Sequence, residues 1–455
     1  MKSIATPSRA VLLLLAAIAL GLTQPGAALA EPPAGPFSAA ADPAEVFLEA
    51  RDLALLTALK PPDKELDRKA LALAVQAYSQ TLDPAWTAGA ESPTGGSAAA
   101  AGDPSDAFLN ARAQALRESH NYAEDEKAIA QAIRAYFQAL DSYSTYLSPQ
   151  ERRELSDNDR PNYSGVGMDI LAGPNGEIFC VPYDDSPAHR AGILSGDRLL
   201  AVDGQNVRDR APVALSALLR GPAGSRVDLT VAGATGPSRT VSLTRANLNR
   251  QAVETTFDGL VLKIRIYRFE AETAAEVKSG LQSEPNLQRV VIDLRGNTGG
   301  DLKAALDTAD LFLTAGSAIV TVTGRSYSGL EPVAHRATAK PPKFTASQVV
   351  IWQDQLTASA AEVFIAALRA HHQAVSIGSR TFGKGVAQTL TPATGGGLFL
   401  LTTGELMPAD GRSFNHQGLA PDLLLRQPTQ EGDYFNRTEE AFANYTHLPR
   451  PLKPH

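Results

Sequence analysis

Three hydrophobic rhythms divide the chain. Between residues 42 and about 147, apolar positions recur at three- and four-residue spacing, which predicts amphipathic helices. From Tyr163 to about Asn247 the apolar runs shorten to strand length and alternate with turns: GVGMDI, GEIFCV, DRLLAVDG, RVDLTVAG and TVSLTR, with one short helix from Ala211 to Leu219. From about Thr255, strand runs alternate with helical ones, the signature of an α/β core. Strands are predicted at 260–266, 290–294, 348–352, 374–378 and 398–403, and helices at 271–283, 301–313 and 359–372. From about Gln427 the chain turns polar, then helical, then proline-rich.

The helical region repeats itself. DPAEVFLEARDLALLTAL begins at Asp42 and DPSDAFLNARAQALRESH at Asp103. Each is followed by a second helical run, AVQAYSQTLDPAW from Ala74 and AIRAYFQALDSYSTYL from Ala132. Two helical hairpins related by duplication fit this pattern. Residues 87–102, TAGAESPTGGSAAAAG, read as a flexible link between them. Nothing in the hairpins suggests chemistry; packing, a homo-oligomer contact or docking of an adaptor are the roles left to them.

The chain begins with Lys2 and Arg9, an apolar run from Ala10 to Leu22, a Pro25-Gly26 break, and Ala28-Leu29-Ala30 before Glu31. This is the layout of a secretory signal over residues 1–30. The run is short for a permanent span, although an uncleaved anchor is the alternative reading. The resulting division is 1–30 signal, 31–41 linker, 42–160 helical region, 163–247 strand-rich module, 255–426 α/β core and 427–455 tail. Among the 455 residues 44% are hydrophobic, enough for real cores, and the net charge of −7 excludes nucleic acid as the main partner. A single cysteine, Cys180, excludes an intrachain disulfide and a thiolate metal cluster.

Candidate chemistry concentrates in the α/β core. After the predicted strand 290–294, Arg295 to Asp301 (RGNTGGD) form a glycine-rich turn into a helix, which turns backbone N–H groups toward the positive end of the helix dipole. That suits an oxyanion; no Gly-Lys-Ser/Thr follows at phosphate-loop spacing. Ser359 opens the next helix among small residues, TASAAEVF, where a substrate backbone can come close. A hydroxyl is a poor nucleophile until a base takes its proton. Lys384 follows after 25 residues, between glycines in TFGKGVAQ, and Gln388 lies one turn beyond. An exposed lysine stays charged, with a pKa of about 10.4, whereas burial among apolar neighbours yields a free amine. Gln388 is able to hold that amine by a hydrogen bond without adding charge. His371 and His372 lie at a predicted helix end, where a positive charge is favoured, and lack a third metal ligand. No metal or other cofactor is implied.

Ser186 to Val207, SPAHRAGILSGDRLLAVDGQNV, resembles the PDZ family, in which a peptide's C-terminus adds as a strand beside a carboxylate-binding loop. By that resemblance Gly165, Val166 and Gly167 receive the carboxylate. A spacer that has lost ligand binding is the alternative. More widely, ALDSYSTYLSPQE (139–151), the PDZ-like module, VVIDLRGNTGGDL (290–302), TASAAE (357–362), TFGKGVAQ (381–388) and LTTGELMPADGRSFNHQGLAPD (401–422) resemble, in order and spacing, the carboxy-terminal processing peptidases of the S41 serine-peptidase family. The resemblance implies a multidomain α/β fold, with a PDZ β-sandwich or barrel module and a ClpP/crotonase-like peptidase core. It implies Ser359 as nucleophile, Lys384 as base and Gln388 as the lysine's orienter. The oxyanion donors would be the backbone N–H of Ala360 and of Gly299 or Gly300. It also implies a serine endopeptidase that cleaves exported proteins near their C-terminus, in the periplasm, with an adaptor lipoprotein as a possible partner. The alternative is a peptide-binding scaffold that is inactive or depends on a partner.

Overall fold

The computed structural model describes residues 42–86, 103–158 and 162–444, apart from breaks at 174–175, 209, 211, 235, 250, 285–286, 325–331, 339–347 and 427–430. The predicted signal and linkers lie outside the described residues.

Four helices form the N-terminal region: α1 (Pro43–Thr57), α2 (Lys64–Leu82), α3 (Pro104–Ser119) and α4 (Asp125–Gln138). Asp42, Asp63 and Asp103 each cap a helix by accepting first-turn N–H groups, and proline fills the first position of α1 and α3, where its missing N–H costs nothing. Phe47 stacks on Phe108 with ring centroids 3.7 Å apart, both fully buried. Arg51 pairs with Asp67, which also accepts from the Tyr136 hydroxyl at 2.7 Å. Arg112 pairs with Asp125, which accepts from Tyr78 at 2.6 Å. Each carboxylate thus joins an arginine from its own half to a tyrosine from the other, and both buried tyrosines find the partner they need.

β1 (Thr145–Leu147) and α5 (Pro149–Asn158) lead into the second unit. That unit holds β2 (Asn162–Gly165), β3 (Met168–Ala172), β4 (Ile178–Pro182), α6 (Pro187–Arg190), β5 (Arg198–Val202), β6 (Gln205–Asn206), α7 (Pro212–Leu219), β7 (Arg226–Ala232), β8 (Ser238–Thr244) and β9 (Ala246–Asn249). Its main sheet has the order β3-β4-β5-β7-β8, so β3 is an edge strand, while β2 pairs with β9. Alternate residues Val227, Leu229 and Val231 of β7 point into a core with Val166, Cys180 and Ile193, as a half-buried strand requires.

The third unit contains β10 (Val253–Phe257), β11 (Val261–Ile266), α8 (Thr273–Ser283), β12 (Arg289–Asp293), α9 (Leu302–Ala309), β13 (Ala318–Gly324), β14 (Val333–Arg336), β15 (Gln348–Gln353), α10 (Ala360–Ala370), β16 (Val375–Gly378), β17 (Val386–Pro392), β18 (Leu398–Pro408), β19 (Leu423–Leu424) and α11 (Glu431–Ala443). One sheet runs β10-β11-β12-β15-β16-β19, parallel from β11 onward. Val290 and Ile292 face α8, α9 and α10, whereas Val291 faces Trp352, Tyr434 and Phe442, the last two from α11. Both faces of β12 are covered, which explains its unbroken apolar run. The second sheet, β1-β18-β13-β14 with β17 on β18, ties the helical region to the core. Phe399 and Leu401 of β18 pack among the N-terminal helices. Strands β10, β13, β14 and β17 do not stand out in the sequence pattern, because their threonines and exposed faces dilute the apolar signal and long-range pairing sets them.

Candidate active site

Ser359 is the N-cap of α10 and has φ 57° and ψ −120°. A non-glycine residue seldom adopts that backbone; the surroundings must impose it, as in the strained strand-to-helix turns that lift a nucleophile out of a sheet. The restraints are visible. Ala358 N–H donates to Asn297 O at 2.9 Å, and Ser359 N–H donates to Glu362 Oε2 at 2.8 Å. Thr357 Oγ1 donates to Leu294 O at 2.8 Å. The glycine-rich turn after β12 is therefore laced to the turn that carries the serine.

Glu362, one turn into α10, is fully buried, and its carboxylate accepts from four donors. Besides Ser359 N–H these are Lys384 N–H on the same Oε2 at 2.9 Å, Gly383 N–H on Oε1 at 2.8 Å, and Thr381 Oγ1 on Oε1 at 2.5 Å. One oxygen thus fixes the backbones of Ser359 and Lys384 to each other. Burial pushes the Glu362 carboxyl up to about 7, against the pull of these donors.

Lys384 lies in the turn before β17, and its Nζ sits 4.9 Å from the centre of the Tyr143 ring. The side chain is half-buried, yet the protein around it is dense. Desolvation and the nearby positive charge of Arg268 lower its pKa from 10.5 to about 8, against a smaller opposing pull from Asp141. Arg268 in turn faces Asp169 of β3, with Nη1 and Oδ1 3.6 Å apart. Removing the Arg268 charge favours the protonated lysine, so Arg268→Ala should move any rate-limiting lysine ionisation to higher pH by a fraction of a unit; an unshifted profile would contradict this coupling.

The structure brings Gln388 to the same place by another contact: its Nε2 donates to Tyr143 O at 2.8 Å. No hydrogen bond joins Ser359 Oγ to Lys384 Nζ, or Lys384 Nζ to Gln388, among the described residues. Gly299 has φ 105°, and a Cβ there would lie 2.9 Å from both Ala358 O and Ser359 Cβ, so only glycine fits against the serine. Its N–H is engaged by Asn297 Oδ1 at 2.8 Å. The N–H groups of Gly300 and Ala360 have no partner among the described residues.

In the PDZ-like unit, Val166 and Gly167 also present N–H groups without a partner among the described residues, beside the start of the open-edged β3. Gly165 pairs across to Ala246 and bridges Arg220. Gly167 has φ 74°, and a Cβ would meet Ser186 Cβ at 2.4 Å. Gly167→Ala should therefore distort this loop and weaken binding of a peptide C-terminus by about tenfold or more, read by fluorescence anisotropy. Unchanged affinity would remove the loop from peptide capture.

Sequence reasoning missed Tyr143, Glu362, Asn297 and Arg268. The signal for Glu362 was present: an acid three residues past a helix-opening serine marks a capping arrangement. Tyr143 carried no such mark, because its role depends on β1 joining the second sheet.

A profile of the peptidase family S41 matches residues 261–425, and a PDZ domain profile matches 178–233. The carboxy-terminal processing protease CtpA of Bacillus subtilis is 30% identical over 364 residues, 79% of this chain and 76% of that protein. The chain belongs to the S41 peptidase family. Like its relatives it is a serine-type peptidase of the carboxy-terminal processing group, and it carries a PDZ domain. The carboxy-terminal-processing protease of Bartonella bacilliformis is 29% identical over 317 residues, 68% of this chain and 72% of that protein. The solved photosystem II D1 C-terminal processing protease shares the S41 fold with a TM-score of 0.63, at 22% identity over 87% of this chain and 96% of that one. Among the described residues of this S41 peptidase no helix is long and apolar enough to cross a membrane, and no His, Cys, Asp and Glu group is suited to a metal ion.

Proposed function

We propose that this S41 peptidase is an endopeptidase with Ser-Lys catalysis that captures free C-termini in its PDZ domain and cuts exported proteins near that end. The observation that carries the reading is the shared Glu362 oxygen, which pins Ser359 beside a lysine whose pKa is lowered to about 8. In the reaction the neutral Lys384 amine takes the Ser359 hydroxyl proton as Oγ attacks the scissile carbonyl. The Ala360 N–H and a glycine N–H of the 299–300 turn hold the oxyanion, with Gly300 the one whose amide is unengaged. The lysine ammonium then protonates the leaving amine. A water that yields its proton to Lys384 hydrolyses the acyl ester. Gln388, held through its Nε2 by Tyr143, offers Oε1 to the ammonium. Because Ser359 and Lys384 are not hydrogen-bonded to each other, the proton path closes when substrate orders the site.

The tail enters as a strand on the open edge of β3, its carboxylate on the Gly165-Val166-Gly167 loop. The amino-terminal signal points to export into the periplasm. The matched contacts of Phe47, Tyr78, Phe108 and Tyr136 support duplication of the two hairpins, which leave an outer face for a homo-oligomer or an adaptor lipoprotein.

The test is digestion, by the purified mature chain, of a reporter with an unstructured tail, against the same reporter ending in a carboxamide. Cleavage near the tail that slows about tenfold or more on amidation is the expected result, since a carboxylate on backbone N–H groups forms charge-assisted hydrogen bonds. Equal rates would sink tail capture, and no cleavage of either would favour a binding scaffold.

A further inference from the structure

A cleft of about 450 Å³ separates the PDZ domain from the N-terminal helices. Gln76 and Gln80 of α2, Gln138 of α4 and Ser142 form one wall, Ala172 at the end of β3 lies on the other, and Arg210 is the one charged residue among the described residues of its lining. Its two ends touch the capture edge and the neighbourhood of Lys384. A peptide captured at Val166 and Gly167 runs antiparallel to β3, so its upstream part leaves the strand at Ala172, where the cleft begins. At the other end Ser142 immediately precedes Tyr143, whose ring lies 4.9 Å from Lys384 Nζ.

We propose that this cleft is a rail for the substrate segment just upstream of the captured tail, and that it selects against positive charge there. The inference rests on the tail-capture reading above. Glutamine side chains both donate and accept hydrogen bonds, so they follow an extended backbone of any sequence. Selectivity comes from charge: among the described residues no carboxylate lines the cleft to receive a lysine or arginine, and Arg210 repels one. The rail therefore suits neutral or acidic segments. β3 has five residues and pairs with about as many tail residues. At about 3.3 Å per residue, the cleft takes roughly residues six to nine from the C-terminus.

The test uses three reporters that differ only at those tail positions: neutral, with two aspartates, or with two lysines. A fourth and a fifth carry the same charge pairs well upstream of the cut. Each is digested by the mature chain and by Gln76→Glu/Gln80→Glu, whose two sites are exposed on α2. Thermal denaturation checks that the variant folds.

The wild type should cut the lysine tail about tenfold more slowly than the neutral one and the aspartate tail within about threefold of it. The variant should raise the lysine-to-aspartate ratio of kcat/KM by about tenfold or more, and only for charges at the rail positions. A ratio that stays at the wild-type value overturns the rail while leaving tail cleavage standing, as does a shift equally large for the upstream charges. Failure of the wild type to cut any reporter overturns the peptidase reading and the rail with it.

Discussion

Replacing Lys384 by methionine is expected to lower kcat by about four orders of magnitude or more while raising stability. The kinetic half follows from the role proposed for it: without that base Ser359 would stay a protonated alcohol, and the leaving amine would lose its proton donor. The thermodynamic half follows from burial. The folded pKa of about 8 lies below the ordinary 10.5, so folding disfavours the charged form. The sign is fixed by linkage: between these values the unfolded chain binds more protons, and stability rises with pH there. The cost is fully present below pH 8, on the order of 3 kcal/mol, fades between the two values and is gone above the unfolded one. Methionine fills similar volume with no charge to desolvate. Thermal denaturation at pH 7 should therefore show a higher Tm for Lys384→Met, with the gap closing toward pH 10.5. Activity within tenfold of wild type would remove Lys384 from the chemistry. A lower Tm would mean that the amine is not desolvated.

Glu362→Ala should lose both activity and stability. Its carboxylate is the common acceptor for Ser359, Gly383 and Lys384 N–H and for the Thr381 hydroxyl, the bonds to Gly383 and Thr381 buried and the other two partly so. Alanine leaves these donors without an acceptor, and an orphaned buried donor costs about 1–3 kcal/mol before relaxation. The strained Ser359 backbone also loses the bond that holds it. We expect kcat to fall about a hundredfold or more and stability by about 3 kcal/mol, whereas KM for a tailed peptide should change little, since the PDZ loop is untouched. Glu362→Gln separates the two roles. The amide keeps the volume and one acceptor oxygen but turns its Nε2 toward N–H groups, so it should fold better than the alanine variant and still be slow. A Glu362→Gln enzyme as fast as wild type would reduce Glu362 to a packing residue.

The distribution of legible and illegible features has a physical basis. Ser359, Lys384 and Gln388 could be singled out as candidates because a serine and a lysine in small-residue contexts are local signals, whereas the contact Gln388 makes, to Tyr143 O, was not legible. The parallel strands β11, β12, β15 and β16 could be read because sheet strands covered on both faces must be apolar throughout. Tyr143 could not, because an aromatic ring over an amine nearly 250 residues away depends on strand pairing between β1 and β18. Strands β13 and β17 were hidden for the same reason: Thr321, Thr323, Thr389 and Thr391 weaken their apolar pattern, and β18 supplies the register. The serine's backbone strain was likewise invisible, since it is set by Asn297 and Glu362 acting from two different turns.

The pH dependence of kcat/KM for one tailed peptide tests the central claim most directly, because it reports ionisations of the free enzyme. A neutral Lys384 requires the rate to rise with pH through an apparent pKa near 8 and then level off. Below about pH 7 the fall should steepen as the Glu362 carboxyl takes a proton and its new O–H faces groups that are themselves donors. A rate that keeps climbing through pH 10, as an ordinary lysine would dictate, or one indifferent to pH between 7 and 9, would contradict the account.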